Sequence, residues 1–76
     1  MKIQLQKGKP EKIQISGKSK LILKCENNAQ IKVQLSKMSD YEVGHTCQYS
    51  VVLIVEEYDF VTFISSIDTE IIYCLN

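Results

Sequence analysis

The sequence predicts an all-β domain, a small antiparallel sandwich or barrel of about six or seven short strands. Three observations carry that expectation. In the first half of the chain, apolar residues hold odd-numbered positions and lysine or glutamine most even ones, the two-residue period of a one-faced sheet. The runs are rich in β-branched and aromatic residues and are punctuated by Gly, Pro, Asn and Asp. No segment sustains a long helical stripe.

Ile3 and Leu5 alternate with Lys2, Gln4 and Gln6, giving a first strand that stops at Lys7-Gly8-Lys9-Pro10. Ile13 and Ile15 form a second, ended by Ser16-Gly17-Lys18-Ser19, where a tight hairpin turn is expected. Leu21, Leu23 and Cys25 then point one way and Lys20, Lys24 and Glu26 the other. Asn27-Asn28 suits another hairpin turn, because asparagine tolerates positive φ, and Ile31, Val33 and Leu35 continue the odd-numbered face.

Between Ser36 and His45 the period lapses, and Ser39-x-x-Glu42 resembles a capping box that admits one helical turn near residues 39–44. From Thr46 the pattern changes. Tyr49, Val51, Leu53 and Val55 fill one face, yet Val52 and Ile54 make the other apolar as well. Glu56-Glu57-Tyr58-Asp59 reads as a hairpin turn, after which Phe60, Thr62 and Ile64 oppose Val61 and Phe63. A last strand sets Ile71, Tyr73 and Leu75 against Ile72 and Cys74. A helix within 62–75, on the spacing of Phe63, Ile64, Ile67 and Ile71, is the competing reading of these final runs.

Residues 1–76 make one small domain, of a size that removes only roughly 60% of its unfolded surface from water. Small scaffolds add disulfides, a metal or a second copy of themselves. The three cysteines, Cys25, Cys47 and Cys74, form no C-x-x-C pair, and an odd number cannot all pair within one chain, so a reducing compartment is the simpler expectation. Met1-Lys2 leads into alternating polar residues, which gives secretion no support. The longest aliphatic run, Val51 to Val55, is five residues, far short of the ~20 that a membrane helix needs. A soluble, cytoplasmic protein with no membrane partner is expected.

Strands that are apolar on both faces must be covered on both faces. A two-layer sandwich leaves its outer faces wet, so Val52, Ile54, Val61, Phe63, Ile72 and Cys74 are the expected interface of a homo-oligomer. All nine lysines lie at or before Lys37 and seven of the nine acidic residues from Asp40 onward, so the chain is neutral only because two oppositely charged halves cancel. Lys12, Lys20, Lys24 and Lys32 share the even-numbered positions and are candidates for holding a small anion, a nucleotide or an acidic partner. Against nucleic acid, all six aromatics lie between Tyr41 and Tyr73, with none interleaved among those lysines. Tyr41, Tyr49 and Tyr58 are a candidate contact patch beside Glu42, Glu56, Glu57 and Asp59.

No motif identifies a reaction. Gly17-Lys18-Ser19 resembles the end of a phosphate-binding loop, but Lys12 stands where that loop needs glycine and a strand follows where it needs a helix. Asp40, His45 and Cys47 contain the ingredients of an activated thiol, although a loop histidine before an inward cysteine explains them more simply. The cysteines and His45 lack the paired spacing of a zinc site, so neither metal nor cofactor is expected. The expected function is non-catalytic: a small homo-oligomeric binding protein, by analogy a stoichiometric inhibitor or adaptor of phage or mobile-element type, that occupies a partner protein or holds a ligand. Two alternatives compete with it, an assembly subunit using opposed basic and acidic halves, and an anion- or nucleotide-binding module using the lysine face.

Overall fold

Burial of hydrophobic side chains follows residue parity among the described residues. Among the described residues every core hydrophobic side chain, from Leu5 to Tyr73, bears an odd number. The computed structural model describes residues 1–25, 29–38 and 42–76, with Glu42 and Val43 described through the backbone alone. Its strands are β1 (Lys2–Leu5), β2 (Glu11–Gln14), β3 (Lys20–Cys25), β4 (Ile31–Ser36), β5 (Glu42–Cys47), β6 (Ser50–Ile54), β7 (Phe60–Ser65) and β8 (Thr69–Leu75). They form two four-stranded antiparallel sheets, ordered β1-β8-β3-β6 and β2-β7-β4-β5. The inward residues of the two layers make one core around Phe63, Leu21, Leu23, Ile31, Val33 and Leu35.

This is the sandwich of the expected pair of architectures, with one strand more than the sequence announces. The additional strand is β5, whose register on β4 runs from Ser36↔Glu42 to Ile31↔Cys47. It covers Glu42–Gly44 of the expected helical turn, while residues 39–41 of that turn lie outside the described residues. β4 offers a ladder of backbone partners there, whereas no apolar helical stripe follows the capping box to bury a helix. The competing helix within 62–75 is likewise overturned, since β7 and β8 occupy that stretch.

Consecutive strands lie in different sheets, with β4 and β5 the exception. The expected hairpins at Ser16–Ser19 and Glu56–Asp59 are therefore crossovers between layers. The expected hairpin at Asn27-Asn28 lies outside the described residues, but the strands flanking it, β3 and β4, also belong to different sheets. Strands pair as β1 with β8, β2 with β7, β3 with β6 and β4 with β5, with β8 on β3 and β7 on β4 completing the sheets. A long doubled ribbon wrapped in this way is the strand order of a jelly roll.

Side chains and turn glycines anchor the crossovers. Asp59 accepts from Ser16 Oγ at 3.1 Å and from the Met38 amide at 3.1 Å, while its carbonyl accepts from the Ile15 amide at 2.8 Å. One aspartate thus ties three connections together at one end. At the other end the Lys7 amide donates to Asp68 Oδ1 at 2.7 Å, and Ser66 Oγ accepts from the Gln30 amide at 3.1 Å. Gly8 (φ 72°) and Gly17 (φ 84°) take the third position of β-turns closed by Lys9 N–H to Gln6 O and Lys18 N–H to Ile15 O, each at 3.0 Å. That position needs positive φ, which costs a side-chain-bearing residue about 1–2 kcal/mol. Gly17→Ala is accordingly expected to lower the unfolding free energy by that amount, read from a urea titration, even though open space surrounds its Cβ position; an unchanged midpoint would mean that the turn relaxes to another type.

Candidate functional site

The register of the first sheet lines up its outward side chains in rows. Lys2, Ile72, Lys24 and Ser50 stand side by side across β1, β8, β3 and β6. The next row is Cys74, Ile22 and Val52, and beyond it Lys20 stands beside Ile54. Ile72, Cys74, Ile22, Val52 and Ile54 therefore make one unbroken apolar stripe across three strands, with lysines on its rim. Val52 is 59% exposed, Ile54 63% and Ile72 40%. A shallow cleft of about 240 Å³, lined by Ile22, Lys24, Ile72, Tyr73 and Cys74, indents the stripe.

Four of the six residues expected at an interface thus meet on one face. Val61 and Phe63 do not: both are fully buried, and this corrects their expected placement. The reason is parity. β7 belongs to the second sheet, where odd-numbered residues point inward, and the Phe63 ring packs across the layers on Tyr73 with centroids 5.8 Å apart. Ile22 was missed, although the run Leu21-Ile22-Leu23 breaks the lysine–apolar alternation of its half and carries that signal.

The second sheet presents a different outer face, with Lys12, Thr62, Gln34 and Gly44 in one row. Its aromatic member is covered from within the chain, since Lys12 Nζ sits 4.5 Å from the centre of the Phe60 ring. A cleft of about 280 Å³ opens there between Gln30, Lys32, Thr46, Ile64, Ser65 and Ser66. Gln30 and Ser66 already bond each other across its mouth, Ser66 N–H to Gln30 O at 3.1 Å.

The lysine candidates are divided between the faces. Lys20 and Lys24 belong to the first sheet, Lys12 and Lys32 to the second, so no single surface carries all four. Nor do the basic and acidic halves of the sequence remain apart, because each strand pairing joins a strand from before Lys37 to one from after Asp40. Tyr49 precedes β6 and Tyr58 follows it, beyond a turn closed by Tyr58 N–H to Val55 O, and Tyr41 lies outside the described residues.

Cys47 is 1% exposed and touches Cys25, with the sulfurs 3.5 Å apart. Burial pushes the Cys47 thiol up to about 12, and the hydrogen bond and charge of Cys25 push the same way. A nucleophilic cysteine needs the opposite shift. His45 is a half-buried residue of β5 opposite Val33, not a loop histidine, and Asp40 lies outside the described residues. Among the described residues no three His, Cys, Asp or Glu side chains cluster to hold a metal. No family model, curated protein or solved structure matches this chain.

Proposed function

We propose that this protein is a non-catalytic binding protein that works as a homo-oligomer, with two copies packing the outer faces of their first sheets together. The observation that carries this reading is the stripe of Ile22, Val52, Ile54, Ile72 and Cys74, which lies where a two-layer sandwich has no third layer. Four strands spaced about 4.8 Å apart and some six residues long at about 3.3 Å give a face of roughly 400 Å² in projection. The accessible area of a corrugated face exceeds its projection, which brings it to the low end of what each partner contributes to a stable pair. The stems of Lys2, Lys20 and Lys24 extend the apolar area while their charged heads reach water at the rim.

Solution mass tests the reading. Light scattering at about 100 μM should give twice the 8.7 kDa chain mass, and the dimer should persist in ~1 M salt, because screening weakens exposed charge contacts and spares an apolar face. Val52→Lys and Ile72→Lys should each give a folded monomer, since both side chains project outward and their replacement leaves the core intact. Native wild-type protein at monomer mass would end the proposal.

A further inference from the structure

Cys25 closes β3 in the first sheet and Cys47 closes β5 in the second. Both carry odd numbers, both point inward, and they are 6% and 1% exposed. Their sulfurs lie 3.5 Å apart, at van der Waals contact across the two layers. Cys25 Sγ also makes long contacts to the carbonyls of Ala29 and Cys47, each at 3.9 Å. A disulfide needs the sulfurs at about 2.05 Å, an approach of roughly 1.5 Å from their present separation. β5 is an edge strand whose ladder runs along β4 alone, so it is the element that a covalent tie to the first sheet would hold most.

We propose that Cys25 and Cys47 are the two halves of an inter-sheet disulfide, closed by a small-molecule disulfide oxidant when β5 opens, which locks the edge of the second sheet to the first. In the reaction one cysteine thiolate attacks a sulfur of glutathione disulfide and releases one glutathione thiolate. The other cysteine thiolate then attacks the mixed disulfide at the protein sulfur and releases the second. The S–S bond of the oxidant is broken, the Cys25–Cys47 bond is formed, two electrons pass to glutathione, and the two thiol protons end on the two glutathiones. Burial of both sulfurs and the raised Cys47 thiol keep the closed native form inert, so oxidation proceeds through opening or during folding. Cys74 takes no part, because it is even-numbered and exposed on the outer face of β8.

The test uses the full chain carrying Cys74→Ser, refolded from denaturant in a mixture of reduced and oxidised glutathione. The expected product is a folded protein about 2 Da lighter than the reduced form, with one cleavage product joining the Cys25 and Cys47 segments. Its thermal midpoint should exceed that of the same sample after reduction by about 10 °C or more, since the link closes a loop between residues 22 apart. Cys74→Ala in place of Cys74→Ser provides the same comparison with a second substitution. Cys25→Ser should yield only a glutathione adduct at Cys47 and no rise in midpoint. Refolded protein that carries free thiols or two glutathione adducts would overturn the proposal, and so would a cross-linked form that melts below the reduced one.

Discussion

Phe63→Ala should remove a large share of the protein's stability, lowering its unfolding free energy by about 3–5 kcal/mol. The Phe63 side chain is the largest fully buried one among the described residues and packs across the two layers on Tyr73. Truncating such a ring costs about 3–5 kcal/mol, through lost transfer energy and through the cavity left where neighbouring strands cannot collapse. A chain of this size has on the order of 4–11 kcal/mol in total. Near-UV circular dichroism and a urea titration read the outcome. The result also separates the two possible homes of Phe63. A variant that keeps its fold and stability while losing only self-association would place the ring at an interface and contradict the sandwich core.

Raising the pH above 9 should destabilise the protein through Cys47. The folded thiol titrates at about 12, against 9.0 for an ordinary cysteine, chiefly because burial disfavours the thiolate. Between those values the unfolded chain has lost the proton and the folded one retains it, so the folded state binds more protons and stability falls as pH rises. The contribution is fully present below pH 9 and drains at on the order of 1 kcal/mol per pH unit above it. Urea midpoints measured from pH 8 to 11 should fall more steeply for the wild type than for Cys47→Ala. All other groups are common to both proteins, so the difference between the slopes reports Cys47. Equal slopes would show that the Cys47 thiol is not held in its neutral form by the fold.

Much of the architecture was legible. The odd-numbered core of the first half reads directly off Ile3, Leu5, Ile13, Leu21, Ile31 and their neighbours, because alternation is a local property of the pleat. The same rule carried through the second half would have placed Val61 and Phe63 inside. The local pattern points them to an interface instead, because β7 has apolar or half-apolar residues on both faces, and period two cannot tell which face is inner when neither is clearly polar. β5 was hidden for a different reason. Gly44 and His45 interrupt the alternation, and an edge strand with glycine in its interior derives its conformation from the ladder with β4. Of the site, Val52, Ile54, Ile72 and Cys74 were visible as surplus hydrophobicity. That they are neighbours of Ile22 was not, since the register between β3, β6 and β8 appears nowhere in the chain's local pattern.

The charge split has a different meaning in the fold from the one it suggests in the sequence. Lysines before residue 38 and acids after residue 39 read as two faces or two ends, yet the wrapping interleaves the halves strand by strand. In the strand registers the lysines nevertheless face uncharged residues, Lys12 opposite Thr62, Lys20 opposite Ile54, Lys24 between Ile72 and Ser50, and Lys32 between Thr46 and Ile64.

By itself the sequence determined the secondary-structure class and which residues of most strands turn inward, because both follow from a two-residue period that needs no distant partner. Only the tertiary structure decided which sheet each strand joins, which hydrophobic residues remain outside and which two cysteines touch. Those outcomes rest on contacts as remote as the Met1 amine donating to the Tyr73 carbonyl, 72 residues away. Such pairings are chosen by how the whole ribbon wraps to bury one core, and no short window of sequence contains that choice.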